Sequence, residues 1–214
     1  MSQAAPIVFV VDDDVSVREA LESLIRCEGW QPQTFSSARE FLAHPRVRVP
    51  SCLILDVGLP DLSGLDLQKH ITADRADLPI VFITGHHDVP MTVQAMKAGA
   101  VEFLTKPFAD QALVDALRNA IERSRATLDR EQQVRVLNDC YASLSARERE
   151  VMAHVVSGLL NKQIAAELGI SEITVKAHRG HVMQKMKAES LADLVRMSAE
   201  LGFAPARKWA AVNP

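Results

Sequence analysis

At 214 residues, 48% of them hydrophobic and 24% charged, the chain has the make-up of an ordinary globular protein, and neither a disordered nor a disulfide-dense class fits it. No run approaches the ~18 apolar residues of a membrane span and no basic-then-apolar leader opens the sequence, so a cytoplasmic protein without membrane contact is expected. The net charge of −3 hides an asymmetry: residues 1–122 carry 10 Lys/Arg against 17 Asp/Glu, or −7, while residues 123–214 carry 14 against 10, or +4, which suits a second part that meets a polyanion.

Short apolar runs alternate with amphipathic stretches through the first half. IVFVV (7–11), QTF (33–35), CLIL (52–55), IVFI (80–83) and VEFL (101–104) read as strands, the strongest of them apolar on both faces, as in a parallel sheet covered by helices. Between them, residues 15–28 place Ala20, Leu21, Leu24 and Ile25 on one helical face, and Ser37 to Glu40 has the form of a capping box. Val93, Met96 and Ala100 repeat at helical spacing, with Gly99 suited to a helix C-cap. Five β-α repeats in the first 122 residues imply a doubly wound α/β domain with right-handed crossovers. From 123 to 142 the chain turns charged, lacks Pro and Gly, and is rich in helix formers, so a helical linker is expected; Leu128, Val134 and Leu137 keep no heptad. Strand signals then stop. A second capping-box form, Ser145 to Glu148, opens a helix to about Ser157, and 161–169, 171–187 and 190–202 read as three more, giving an all-helical domain over 143–203 and a tail over 204–214. Cys27, Cys52 and Cys140 lack the spacing of a zinc site or a disulfide framework and read as reduced thiols.

In open α/β sheets, function collects outside the carboxyl ends of the strands. Here the first run ends in Asp12-Asp13-Asp14, the third in Asp56, the fourth in Thr84-Gly85 and the fifth in Thr105-Lys106-Pro107. A strand order of 2-1-3-4-5 would bring all four tips to one rim. An acidic triplet after a strand can be a helix N-cap and nothing more, but the set together points to chemistry. Converging carboxylates repel unless a cation compensates, and oxygen-only donors suit Mg²⁺, or Mn²⁺, better than a soft metal. Asp13 and Asp56 are the expected direct ligands, Asp12 acts through metal-bound water, and the Gly58 carbonyl completes the set. Lys106 and the Thr84 hydroxyl would surround the peripheral oxygens of a phosphoryl group, with Asp56 as the nucleophile and Gly85 keeping the space beside Thr84 open.

The stretches VFVVDDD, LILDVGLPDLSG and PIVFITGHHDVPMTVQAMKAGAVEFLTKPF resemble the receiver domain of bacterial two-component response regulators, the FixJ-like group above all, across residues 6 to about 122. The resemblance implies a flavodoxin-like fold in which Asp56 accepts phosphate from a sensor histidine kinase. Thr84 and Phe103 would form the switch pair, Lys106-Pro107 would be cis, and the fourth helix with the fifth strand would form a dimerisation face. Gly58 departs from the pattern, since a larger side chain often stands two residues after the acceptor.

In the second domain, NKQIAAELG, a turn at Gly169 and a longer helix opened by Ser171 outline a helix-turn-helix whose second helix enters the DNA major groove. Ile164, Ala165, Leu168, Ile170, Val175, Val182 and Met186 suit the inner faces. Asn161, Lys162, Ser171, Thr174, Lys176, Ala177, His178 and Arg179 are the candidate DNA contacts. Residues 144–201 resemble the LuxR-type DNA-binding domain, which implies pairing through the last helix and promoter DNA and RNA polymerase as partners. Gly180 departs from that pattern, at a position where some relatives carry a base-reading side chain. The whole reads as a transcriptional regulator, not an enzyme, that dimerises when phosphorylated on Asp56. Two rivals are a receiver-scaffolded DNA-binding protein that works without phosphorylation, and a Mg-dependent phosphatase of the haloacid-dehalogenase type. The phosphatase lacks its second nucleophile-motif Asp, because Gly58 stands there, and no cap insert follows.

Overall fold

Parallel strands buried on both faces need apolar residues at every position, and β1 (Ile7–Val11), β3 (Ser51–Asp56) and β4 (Ile80–Thr84) are buried throughout. With β2 (Gln31–Phe35) and β5 (Glu102–Thr105) they form one parallel sheet in the order β2-β1-β3-β4-β5, as expected. This is a computed structural model; it describes residues 5–75, 77–85 and 89–203, with backbone only at 73 and 74. The expected tail, 204–214, lies outside the described residues.

Alternation along each strand divides the core in two. Phe9, Val11, Leu53, Leu55 and Phe82 pack on one face with Phe41, Leu67, Ile71 and Ala95, drawn from α2 (Ala38–Ala43), α3 (Gly64–Asp74) and α4 (Val89–Lys97). Val8, Val10, Ile54, Val81 and Ile83 pack on the other with Leu21, Ile25, Leu113 and Leu117, from α1 (Val15–Cys27) and α5 (Asp110–Ala142). Cys52 lies in this second layer, and burial pushes its thiol pKa up.

Several element boundaries and faces differ from the sequence expectation. The second strand begins two residues earlier than 33 and includes Pro32, which an edge strand tolerates because the missing N–H leaves no ladder bond broken within the sheet. The fifth is shifted by one residue, so that Thr105 pairs with Thr84. On α1, Leu21 and Ile25 are buried but Ala20 is exposed; the sheet contacts a narrower stripe than the face of Ala20, Leu21, Leu24 and Ile25 expected from the spacing. On α4, Ala95 faces the core, while Val93 and Met96 are 45% and 42% exposed and Val89 73%. The Ser37 hydroxyl caps α2 through Glu40 N–H at 3.2 Å, but the Glu40 carboxylate accepts from Ser36, not from Ser37, so the box is only half made.

The chain divides into two compact units, the first ending at Asp129 and the second beginning at Arg130, a point inside α5 and inside the stretch expected as a helical linker. The second unit contains the end of α5, then α6 (Ala146–Val156), α7 (Asn161–Leu168), α8 (Glu172–Met186) and α9 (Leu191–Glu200). Val151, Met152, Ile164, Val175, Val182 and Leu194 form the centre of its core. Ser145 and Glu148 make both halves of a capping box at the start of α6. Among the described residues, no helix is long and apolar enough to cross a membrane.

Candidate functional site

The register brings the strand tips together. Val11 pairs with Leu55, Asp56 with Ile83 and Thr84 with Thr105, so the residues that follow β1, end β3 and β4, and follow β5 share one edge of the sheet. The acidic triplet then splits by role. Asp14 is the N-cap of α1, accepting the Ser16 N–H at 2.8 Å. Asp12 is 1% exposed; its Oδ1 accepts the Asp14 N–H at 2.9 Å and its Oδ2 the Lys106 ammonium at 2.8 Å. The Asp13 carboxylate is exposed and forms no hydrogen bond or ion pair.

Asp56, 8% exposed, is held from two sides. Lys106 Nζ donates to its Oδ1 at 3.1 Å and the Gly58 N–H to its Oδ2 at 2.7 Å. Lys106 is placed by its own N–H, which donates to the Thr84 carbonyl at 2.7 Å, and its bond to Pro107 is cis. Partial burial works against the charged ammonium, but hydrogen bonds and attraction from Asp12 and Asp56 outweigh it and raise the Lys106 pKa above the ordinary lysine value. The lysine thus balances two nearly buried carboxylates that would otherwise repel. Thr84 is 4% exposed, and Phe103, half-buried opposite Phe82 with ring centroids 6.0 Å apart, lies two residues before Thr105, the strand partner of Thr84.

The structure therefore brings Asp12, Asp56 and Lys106 into direct contact and leaves the Asp13 carboxylate outside that cluster. Every donor around the pocket is an oxygen, one carboxylate has no partner, and Gly58 presents no side chain beside the Asp56 carboxylate. A Cβ at 58 would stand 3.2 Å from Asp56 Oδ2. Such a donor set fits a hard divalent cation. Chemically, the site offers a carboxylate nucleophile beside fixed positive charge, with a small residue leaving its approach clear.

In the second unit, Gly169 takes the left-handed conformation, φ 65°, that ends α7 and turns the chain toward α8. The Ser171 hydroxyl accepts the Thr174 N–H at 3.1 Å and pairs with the Thr174 hydroxyl at 2.8 Å, so both expected contacts also serve the cap. Lys162, Thr174, Lys176 and Ala177 are exposed. Arg179 is half-buried, its guanidinium donating to the Asn161 side chain at 2.7 Å, which links the start of α7 to α8. His178 is half-buried too, with a sealed Nδ1 that has no partner.

Three contributors escaped the sequence reading. Arg18 donates to the carbonyl oxygens of Asp12 (2.7 Å) and Asp13 (2.9 Å) and so braces the acidic loop; its place in the first turn after the triplet was the available signal. Asp61, in the loop after β3, accepts the N–H groups of Ala38 and Arg39 at the start of α2, and those backbone bonds hold its pKa down against partial desolvation. Nothing local in the sequence marks that pairing. Ile173, 80% exposed in the first turn of α8, stands off the buried stripe of Val175, Val182 and Met186.

Residues 8–118 match the family model of the response regulator receiver domain, and residues 142–198 that of the luxR family of bacterial regulatory proteins. Nodulation protein W of Bradyrhizobium diazoefficiens is 55% identical over 92% of this chain and 87% of its own length. The response regulator protein TodT of Pseudomonas putida is 46% identical over 94% and 88%, and the transcriptional regulatory protein FixJ of Rhizobium meliloti 45% over 92% and 97%. Among solved structures, the response regulator StyR superposes with a TM-score of 0.82 at 49% identity, covering 92% of this chain and all of that one. Full-length FixJ from B. japonicum gives 0.54 at 38% identity, covering 95% and 100%.

Proposed function

Because the chain belongs to the FixJ-like two-component response regulators, with a receiver domain and a LuxR-type DNA-binding domain, we propose that Asp56 is its phosphoryl acceptor and that phosphorylation by a sensor histidine kinase turns on promoter binding. One observation carries this reading: a single ammonium, Lys106 Nζ, lies 3.1 Å from Asp56 Oδ1 and 2.8 Å from Asp12 Oδ2, at the sheet edge that also carries Thr84. An Asp56 oxygen attacks phosphorus; the P–O bond forms as the P–N bond to the kinase histidine breaks, and the histidine ring keeps that electron pair. Lys106 offsets charge on the peripheral oxygens and the Thr84 hydroxyl donates to one of them. Asp13, Asp56 and the Gly58 carbonyl would hold Mg²⁺ or Mn²⁺, with Asp12 reaching it through water, and that ion would supply further positive charge against the phosphoryl oxygens.

The acyl phosphate then draws Thr84 and Phe103 toward the pocket and favours a dimer. The exposed Val89, Val93 and Met96 of α4 supply an apolar face for that pairing. Paired DNA-binding domains gain avidity for two half-sites, and the bound dimer recruits RNA polymerase in the cytoplasm. On α8, Lys176 and Ala177 are available to base edges and phosphates, and Ile173 to a thymine methyl. Arg179, tied to Asn161, positions α8 on α7.

The test is acetyl phosphate with Mg²⁺, read by intact mass and by gel shift on promoter DNA. One phosphoryl group on the wild type and none on Asp56→Asn, with tighter DNA binding by the phosphorylated form alone, is the expected result. An Asp56→Asn protein that still gains phosphate, or a wild type whose dimerisation and DNA affinity ignore phosphorylation, refutes it.

A further inference from the structure

We propose that Glu148, His178 and His181 form a binding site for a borderline divalent transition metal, Zn²⁺ being the representative ion, that ties the DNA-reading helix α8 to α6. Each of the three offers a ligand atom, these atoms lie within 4.8 Å of one another, and no other such group of three occurs among the described residues.

The local structure explains why the three meet. Ser145 caps α6 and fixes Glu148 at the third helical position, where its carboxylate, 4% exposed, folds back over the helix start. Oε2 is fully engaged, accepting the Ser145 N–H at 2.7 Å and the Lys185 ammonium at 2.6 Å. Oε1 makes no hydrogen bond and faces His181 Nδ1 at 3.6 Å, beyond hydrogen-bond reach. His178 and His181 are three residues apart on α8, a spacing that puts both rings on one helical face. Val175 and Val182, buried on either side of them in sequence, hold the helix in the domain core.

His178 supplies an independent sign: its Nδ1 is sealed from solvent and has no partner. Buried polar atoms in native structures are paired almost without exception, and an ion is one of the standard reasons for an apparent orphan. Two imidazoles and a carboxylate, with a fourth position open to water, are a zinc-type donor set and a poor one for Mg²⁺. Tetrahedral ligation brings ligand atoms to roughly 3.3 Å from one another, given Zn–N and Zn–O bonds near 2 Å. The His181 side chain, 61% exposed, is free to swing that distance. Lys185 orients the carboxylate by occupying Oε2, as outer partners of metal ligands do, while its positive charge keeps the site from binding tightly enough to be permanently filled. Metal occupancy would then report on available zinc through the stability of the helix that reads DNA.

The test uses the full chain with excess Mg²⁺ present throughout. Zn²⁺ alone is titrated by calorimetry, and thermal unfolding of the DNA-binding domain is followed with and without it. One equivalent bound and a raised unfolding midpoint are expected for the wild type and for His154→Ala, whose ring pairs with Glu167 in the same domain. His181→Ala, at an exposed position that leaves the fold intact, should lose both effects, and His178→Ala likewise. Absence of zinc binding by the wild type overturns the proposal, and so does a His181→Ala protein that binds zinc and is stabilised by it as the wild type is.

Discussion

Gly64 opens α3 directly beneath the backbone of Asp56, and replacing it with Ala tests how far the placement of the Asp56 carboxylate depends on that close approach. A Cβ built there would lie 2.6 Å from the Asp56 carbonyl oxygen, 3.0 Å from Val57 Cα and 3.3 Å from Phe82 Cε1. Ordinary contact begins at 3.4 Å, so the nearest atom is too close by roughly 0.8 Å, and because it is backbone no rotamer relieves the clash. Overpacking of this kind costs about 1–3 kcal/mol. Ala gains back about 0.5–1 kcal/mol over Gly in a helix. A net loss of about 1 kcal/mol follows at mid-range, and at most about 2.5, which for a domain of this size lowers Tm by roughly 4–10 °C. The same clash displaces Asp56 relative to Lys106, so phosphorylation from acetyl phosphate should slow, since about 1 Å of misplacement costs on the order of 100-fold. Urea unfolding of the receiver domain and intact-mass time courses measure the two effects. Gly85→Ala is the internal control: a Cβ there meets nothing within 4 Å, and its stability should stay within about 0.5 kcal/mol of wild type. A Gly64→Ala protein as stable and as quickly phosphorylated as wild type, or a Gly85→Ala protein equally damaged in stability, would refute the steric reasoning.

Lys106→Met leaves the Asp12 and Asp56 carboxylates facing each other without compensation; because the lysine side chain is 26% exposed, we expect a loss of about 1–3 kcal/mol in EDTA, largely restored by Mg²⁺, in urea titrations of the two conditions. In the second domain, the Lys185 ammonium first, then the Ser145 N–H and hydroxyl, hold the Glu148 carboxyl at about 2, against an ordinary value of 4.5. A depressed carboxyl stabilises the fold above its unfolded value and loses that contribution as pH falls through the folded one, so the domain should weaken between about pH 4.5 and 2. Glu148→Gln, which can keep the capping geometry, should cost about 1–2 kcal/mol at neutral pH and flatten that acid limb in urea titrations run at successive pH values. Gly180→Ala should stabilise α8 by up to about 1 kcal/mol, since a Cβ there meets nothing within 4 Å, and a Tm no higher than wild type would count against the open, helical setting of this residue.

What the sequence determined by itself was local. Runs such as IVFVV and IVFI state their own two-sided burial, and the polar residues at the strand tips, Asp12 after β1, Thr84 closing β4 and Lys106 after β5, announce a functional rim once the strand order is assumed. Gly169 and Ser171 likewise declare a turn and a helix start, because left-handed backbone and an N-cap hydroxyl are short-range requirements. The tertiary structure decided the pairings across elements. Lys106 reaches Asp12 across 94 residues and Asp56 across 50, while Asp13, next to Asp12 in sequence, stays out of the cluster. Val93 and Met96 have core-like spacing yet face outward, since the sheet covers only the stripe of α4 that carries Ala95. Glu148 looked like a cap residue and also meets Lys185 and two histidines from another helix. Periodicity fixes which way a side chain leaves its own element; only packing of one element on another decides which charge, ring or open space it meets there.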